Sequence, residues 1–335
     1  MKKKNKIPVA IIGKNFGYKV LAKALMKTKR FKLKAIFSKS KSFQKDFPKN
    51  LFFSNDWKKL IKNKEIKAII IATPPHTHEK IINFAIKHEK HIFCEKPCTM
   101  SLKQLVRILK KIKNKKKFIS HMVNYEMAEL DVFKYLKKKI RKNNFKVHSI
   151  NIQWNILNRS KVSSWKNYHN KGGGLIFNYL CHVFYYLENL FGKVTLLKCL
   201  TDFKLNKANN LIEIILKIKN KIFCSVQISS KKTLRKDELF HRLFIISNKG
   251  NFHLKSKTLN TTDKFDMEKI ILSNGKLIKK KIFQEEKNSL DFRISPSIQN
   301  FKKFADSIER NRIYRPCFLD AKNIHLLIKK TLQSS

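Results

Sequence analysis

The first 121 residues switch repeatedly between two periodicities. Apolar runs at 7–12, 33–37, 68–72, 91–94 and 118–120 are too short for helices and hold almost no polar residue, as in strands buried on both faces. Between them, 17–28, 56–63, 76–88 and 101–114 carry apolar residues at helical spacing, for example Leu102, Leu105, Val106, Leu109 and Ile112. Strand and helix alternating through short connections predict a parallel sheet with right-handed crossovers, so residues 1–121 are expected to form a doubly wound α/β domain.

The pattern then changes. A helix is expected over about 127–142, followed by longer strands at 146–156, 194–202, 211–219, 222–230, 239–247 and 251–255. Lys219-Asn220-Lys221 reads as a hairpin turn, and strands joined by hairpins predict a largely antiparallel sheet. The apolar stretch 172–191 is long enough for a helix of several turns, and helical patterns at 295–310 and 320–333 close the chain. Residues 122–335 are therefore expected to form a second α/β domain built on an open, mostly antiparallel sheet.

Composition changes this picture little. The chain of 335 residues is 42% hydrophobic and 11% aromatic, which excludes a disordered or collagen-like chain and suits two domains. No apolar run approaches the roughly 20 residues of a spanning helix, and 7–12 is too short for a signal-peptide core, so a cytoplasmic location without membrane contact is expected. The six cysteines contain no C-x-x-C pair and are expected to be reduced core residues.

A net charge of +52 raises the question of a polyanionic partner. Only ten of the 75 basic residues are arginine, however, and Lys, Ile, Asn and Phe are enriched together, the residues favoured by A/T-rich codons. The lysines are spread in ones to threes, with no basic block beside a stacking aromatic array. The charge is read as compositional bias, with no specific nucleic-acid partner expected and polyanion binding kept as a minor alternative.

Three segments carry recognisable chemistry. Val9 to Gly17 (VAIIGKNFG) is a strand entering a glycine turn that opens a helix, compatible with a pyrophosphate cradle and equally with a plain strand-to-helix turn. Asn15 stands where a middle glycine is usual, which the left-handed tolerance of Asn accommodates. Thr73-Pro74-Pro75-His76-Thr77-His78 and Glu95-Lys96-Pro97 place polar groups just past the carboxyl ends of strands, where open α/β sheets bind ligands. Pro97 also restricts Lys96 to an extended conformation. His76, His78, His88, His91 and Cys94 match no closed zinc spacing, and no Gly-x-Ser-x-Gly elbow is present.

Taken in order, the Gly-x-x-Phe-Gly turn, Ala72-Thr73-Pro74-Pro75-x-x-His78, Glu95-Lys96-Pro97, Trp165…Gly172-Gly173-Gly174-x-x-x-Asn178-x-x-x-His182 and Phe301-x-x-Phe304-Ala305…Pro316…Asp320-Ala321 resemble the glucose-fructose oxidoreductase/inositol 2-dehydrogenase (Gfo/Idh/MocA) family across nearly the whole chain. The resemblance implies an N-terminal Rossmann domain, a C-terminal α/β domain that often serves oligomerisation, and NAD(P)-dependent oxidation or reduction of sugars, nucleotide-linked sugars or cyclitols. It further implies a homo-oligomer, dimer or tetramer.

Carried over to this chain, Lys96 matches the family's catalytic lysine and His182 its histidine, with Asn178 as the substrate-orienting group. Asn178 and His182 lie four apart, on one face of a helix. The family commonly has Asp at position 178 and a second acid at Tyr185, so proton transfer here is expected to rely more on Lys96. Gly13, Asn15, Phe16, Gly17, Ser38, Lys39, Thr73, Pro74, His78, Glu95 and Lys96 are the expected cofactor contacts, with NADP or NAD as cofactor and no metal. An acidic residue that would grip a ribose diol is missing after 33–37, and Ser38 and Lys39 suit a 2′-phosphate better. Three other readings stay open: a non-catalytic cofactor- or sugar-binding homologue, an NAD-dependent glycosidase, and the polyanion binder.

Overall fold

The computed structural model describes residues 5–37, 51–142, 144–158, 160–161, 163–202, 209–233, 235, 238–256, 265–274, 276–284 and 291–334. The chain divides into two compact units, residues 1–126 with 293–325, and residues 127–292 with 326–335. The helix at the end of the chain thus begins in the first unit, although a single boundary at residue 121 would assign it wholly to the second.

In the first unit, strands β1 (Ile7–Ile12), β2 (Phe31–Phe37), β3 (Phe52–Ser54), β4 (Ala68–Ile71), β5 (His91–Glu95) and β6 (His121–Asn124) form a parallel sheet in the order β3-β2-β1-β4-β5-β6. That order is the doubly wound Rossmann arrangement. Ala10, Ile11, Ile12, Ile69, Ile70, Ile92 and Phe93 are fully buried, as uninterrupted apolar runs require. The crossovers carry α1 (Lys23–Lys27), which continues a wider π-helical turn over Gly17–Ala22, then α2 (Trp57–Lys62), α3 (His78–Lys87) and α4 (Leu102–Lys113).

Two strands depart from the pattern. β3 was not expected, being a three-residue edge strand, and β6 runs over His121–Asn124 in place of 118–120. His121 and Asn124 are polar yet buried with partners: His121 Nδ1 accepts from the Phe318 amide at 3.2 Å, and Asn124 bonds three side chains. Interior hydrogen bonds let polar residues occupy a core strand, which hides it from a hydrophobicity pattern.

Helix α7 (Ile294–Glu309) packs in this unit by stacking Phe301 on Phe93 and Phe304 on Phe31, at ring-centroid separations of 4.4 and 6.1 Å. Arg30 bonds Asp306 and Glu309 of the same helix at 2.6 and 2.7 Å.

The second unit is an eight-stranded sheet. β7 (Val147–Leu157), β8 (Val194–Thr201), β9 (Leu211–Ile218), β10 (Ile222–Lys231), β11 (Phe240–Ser247), β12 (Asn251–Ser256), β13 (Phe265–Ser273) and β14 (Lys276–Gln284) follow the order β14-β13-β12-β11-β7-β10-β9-β8. Every pairing is antiparallel except β7 with β10. Lys219 and Asn220 have φ of 49° and 57°, the left-handed pair of a tight hairpin between β9 and β10. β13 and β14 were not expected: β14 (KLIKKKIFQ) is an exposed edge strand whose lysines obscure the alternation.

One face of the sheet is covered. Ile150, Ile152, Ile214, Leu216, Val226, Ile228, Leu243 and Leu254 are buried with helices α5 (Asp131–Ile140) and α6 (Cys181–Phe191). All six cysteines are buried free thiols. Among the described residues no helix is long and apolar enough to cross a membrane.

Candidate active site

The first unit brings three strand ends together. Gly13 ends β1 with φ of +138°, and a Cβ there would lie 2.2 Å from the Ala72 carbonyl oxygen, so only glycine fits. At Gly17 a Cβ would approach Ile11 Cγ2 at 3.0 Å and Ala72 Cβ at 3.2 Å, which seats the helix closely on the sheet. Tyr18 donates to Lys14 O at 2.9 Å, leaving the amides of Asn15, Phe16 and Gly17 in the first turn, where no side chain caps them. The left-handed backbone expected at Asn15 is not used. Asn15 already belongs to the helix, with no positive φ, and its side chain is exposed. A first turn behind a glycine, with Asn15 exposed and no side-chain cap from Phe16, fits a nucleotide pyrophosphate.

Sequence reasoning missed Arg293. Its guanidinium lies 5.0 Å from the centre of the Phe16 ring, adding a cation beside the turn. No local motif marks it, because the two lie 277 positions apart in the chain.

The next strand end is β4. Thr73 Oγ1 bonds Thr77 Oγ1 at 2.6 Å, and Thr77 Oγ1 donates to Pro74 O at 2.8 Å, so the Thr73–Pro74 turn is closed by its own hydroxyls. Pro74 is extended, with φ of −60° and ψ of 143°.

His78 takes a different part from the cofactor contact expected of it. It is fully buried, with Nε2 2.8 Å from Thr73 O and Nδ1 3.0 Å from Pro97 O. The ring lies between the turn after β4 and the turn after β5 and, with a single N–H when neutral, donates to one of the two carbonyls. Burial first of all lowers its pKa to about 4, so the ring is neutral at neutral pH. Cys94 Sγ lies 3.5 Å from Nδ1.

Lys96 leaves β5 half-buried, between Glu95 and a cis peptide bond to Pro97. Glu95 is itself buried, and its side chain is occupied within the protein. Asn124 Nδ2 donates to Oε1 at 2.7 Å, and the Lys96 amide donates to the same carboxyl. Burial, then the neighbouring Glu126, raise the Glu95 carboxyl to about 8. Glu95 thus anchors the end of β5 from which Lys96 leaves. Ser38 and Lys39 follow the end of β2 at Phe37 but lie outside the described residues.

The second unit carries the other expected residues. Gly172 and Gly174 have φ of +86° and +81°, and a Cβ on Gly173 would meet Lys166 O at 2.3 Å. The triple glycine lets the chain fold tightly over Trp165–Lys166 before the helix starts. Asn209 Oδ1 accepts from the Leu175 amide at 3.0 Å and so caps that start. Residues Ile176–Leu180 form a π-helical turn that runs into α6. This wider turn keeps Asn178 and His182 on one side; π-turns are frequent at functional sites. His182 is 4% exposed, and Asn178 Nδ2 donates to Gly174 O at 3.0 Å. Trp154 and Tyr179 pack edge to face at 5.1 Å, and Trp154 also stacks on the buried His241, as core residues do.

Known proteins place this arrangement. Residues 7–124 match the oxidoreductase family's NAD-binding Rossmann fold, and residues 137–324 its C-terminal alpha/beta domain. An uncharacterized oxidoreductase of Synechocystis is 26% identical over 57% of this chain and 53% of its own length. The 2,7-anhydro-N-acetylneuraminate hydratase of Escherichia coli is 26% identical over 40% of this chain and 36% of its own. The matched stretch thus spans about half or less of these relatives. Levoglucosan dehydrogenase in complex with NADH superimposes with a TM-score of 0.81 at 16% identity, covering 98% of this chain and 97% of that one. A 3-ketoreductase from Actinomadura kijaniata in complex with NADP and TDP-benzene gives 0.80 at 14% identity, covering 98% of each. By its two matched domains, the chain belongs to the Gfo/Idh/MocA oxidoreductase family and carries that family's NAD-binding Rossmann domain.

Proposed function

We propose that the protein transfers hydride between a nicotinamide cofactor and a hydroxyl- or carbonyl-bearing carbon of a sugar, nucleotide-linked sugar or cyclitol. The observation that carries this reading is the alignment of the glycine turn, the Thr73–Pro74 turn and Lys96 at the carboxyl ends of three adjacent parallel strands, β1, β4 and β5. The names of the structural neighbours, a levoglucosan dehydrogenase and a 3-ketoreductase, support a sugar substrate.

The cofactor, when bound, supplies or accepts the hydride. Gly13 and Gly17 let the backbone approach it closely, and the amides of Asn15, Phe16 and Gly17 bond its phosphates. Arg293 adds positive charge beside them. Lys96 Nζ and His182 exchange the proton of the reacting hydroxyl, and the Asn178 carbonyl orients that hydroxyl by accepting a hydrogen bond.

The test is turnover with NAD(H) and NADP(H) against a panel of polyols and keto-sugars. Lys96→Ala and His182→Ala should each lower kcat by roughly 10²–10⁴-fold with cofactor affinity nearly unchanged. Asn178→Asp should keep or raise activity. Wild-type turnover in both alanine variants refutes the assignment, whereas release of a chromogenic aglycone, and no simple oxidation, favours the glycosidase reading.

We also propose that the chain associates with itself through the uncovered face of the eight-stranded sheet. There Ile215 of β9, Phe223 of β10 and Ile246 of β11 are exposed, with Ser149 of β7 between the last two, an apolar surface that soluble proteins normally cover.

A further inference from the structure

Lys96 is flanked by restraints on both sides, and only the first comes from the neighbouring strand. Before it, Asn124 Nδ2 of β6 donates to Glu95 Oε1 at 2.7 Å. After it, the chain turns through Pro97, Cys98 and Thr99, all buried yet in neither helix nor strand. Buried irregular backbone has no ladder to satisfy it, so its carbonyls need donors from elsewhere. At Thr99 that donor comes from His325, 226 positions further along the chain.

His325 belongs to helix α8 (Phe318–Gln333). The inward stripe of this helix is apolar, with Phe318, Ala321, Ile324 and Ile328 buried, and His325 sits within it at 1% exposure. A leucine would fill such a position without desolvation cost, so the hydrogen bonds of the imidazole must offset a penalty that an apolar side chain avoids. The start of α8 is fixed to the sheet: the Val123 amide of β6 donates to Pro316 O at 3.0 Å, and the Phe318 amide donates to His121 Nδ1 at 3.2 Å. About two turns further on, His325 Nε2 lies 2.9 Å from both Thr99 O and Thr99 Oγ1, and Nδ1 lies 2.8 Å from Ala321 O.

Burial lowers the pKa of this ring, so at neutral pH it carries one N–H. The Thr99 hydroxyl donates its own hydrogen to Ser101 O at 3.1 Å, so both Thr99 oxygens face Nε2 as acceptors. A hydrogen on Nε2 serves both of them. One on Nδ1 would serve only Ala321 O, a carbonyl of the helix's own ladder. The arrangement therefore favours the hydrogen on Nε2.

We propose that His325 is a positioning residue for Lys96: its Nε2 donates to the Thr99 carbonyl and so fixes the chain three residues beyond the lysine. Both restraints then lead back to β6, through Asn124 before Lys96 and through α8 after it. With its backbone held on either side, Lys96 has fewer directions in which Nζ can point, which is what a preset acid or base requires. That this serves proton transfer rests on the function proposed above; the restraint itself does not.

The test uses the whole protein without cofactor or substrate. In nitrogen-15 NMR the His325 ring, identified by its loss in the variants, should carry its hydrogen on Nε2 at pH 7; a hydrogen on Nδ1 overturns the proposal. Competitive amine labelling read by peptide mass spectrometry should show the Lys96 rate altered by roughly threefold or more in His325→Leu, the effect of losing one hydrogen bond. Lys32 and Lys34 of β2 should keep their rates. His325→Gln, whose amide can donate to Thr99, should restore the Lys96 rate, and the shorter His325→Asn should not. An unmoved Lys96 rate in His325→Leu overturns the proposal, as does an equal change at Lys32 and Lys34, which is general loosening. Should His325→Leu fail to fold, His325→Asn decides by the same measure.

Once a substrate is in hand, His325→Leu should lower kcat by roughly tenfold, with cofactor affinity nearly unchanged and His325→Gln close to wild type. An unchanged kcat beside an altered Lys96 rate overturns the positioning role and leaves hydride transfer standing. A wild type that turns over nothing in the panel refutes the functional reading, and the labelling result still decides the restraint on Lys96.

Discussion

At the scale of single residues, the decisive constraint is at Gly13. Its φ of +138° is open to glycine alone, and any Cβ would meet the Ala72 carbonyl at 2.2 Å, with backbone on both sides unable to move aside. Gly13→Ala is expected to cost about 3 kcal/mol or more of folding stability and to abolish cofactor binding, read from the denaturant midpoint and from fluorescence titration. A variant with wild-type midpoint and affinity would show that the turn opens at little cost. His78 shows the opposite lesson. Its neighbours Thr73 and Pro97 lie 5 and 19 residues away, and the sequence pattern alone did not distinguish a ligand contact from a buried ring between two turns.

At the scale of elements, periodicity located most strands and helices within a few residues, but it assigned faces less well. In α4, Leu105 and Ile108 are buried while Val106, part of the expected apolar stripe, is 43% exposed. A stripe around a short helix can satisfy more than one face, and only the packed sheet selects one. The end of β2 is where cofactor choice is argued. The strand stops at Phe37 as expected, and we propose that Ser38 and Lys39, next in the sequence, replace the carboxylate that would grip a ribose diol and repel a 2′-phosphate. NADP is expected to bind modestly more tightly than NAD, and Ser38→Asp to reverse the order, measured by calorimetry. Tighter NAD binding by the wild type with no response to the swap would take Ser38 away from the ribose.

At the scale of the whole molecule, the buried titratable groups set the pH range of stability. Burial lowers His78 and His121 to about 4 and His241 to about 3. Each therefore contributes stability that is fully present above its ordinary value of about 6.5 and is lost as pH falls toward 4, on the order of 3 kcal/mol apiece. Glu95 runs the other way: raised to about 8, its contribution is present below the ordinary carboxyl value and is lost as pH rises through 8. Three histidines outweigh one glutamate between pH 4.5 and 6.5, so the melting temperature should peak near pH 6.5 and fall on both sides. Glu95→Gln should flatten the alkaline fall. A melting temperature constant from pH 5 to 8 would refute the assignment of these charges. The uncovered sheet face carries the last expectation at this scale. Phe223, 54% exposed on a central strand, should be covered by a second copy, so Phe223→Asp is expected to shift the protein to monomer in light scattering. A wild type monomeric at micromolar concentration would remove that face from any assembly.

What the amino-acid order determined by itself was local and periodic. The alternation of short apolar runs with amphipathic helices implied the doubly wound sheet, and the Lys219-Asn220 turn implied a hairpin, because both depend on neighbours only a few residues apart. The glycine turn, Glu95-Lys96-Pro97 and the triple glycine were legible for the same reason, as each is a contiguous segment whose conformation its own residues dictate. Tertiary structure decided the rest. Strand β6 exists because distant partners, Phe318 for His121 and Asn300 for Asn124, satisfy its polar residues in the core. The placement of Arg293 beside Phe16, the burial of His78 between two turns and the bond from Asn124 to Glu95 all join residues distant in sequence or on different strands. Such contacts, and the shifted protonation they bring, arise only when packing removes water, so no stretch of sequence read alone contains them.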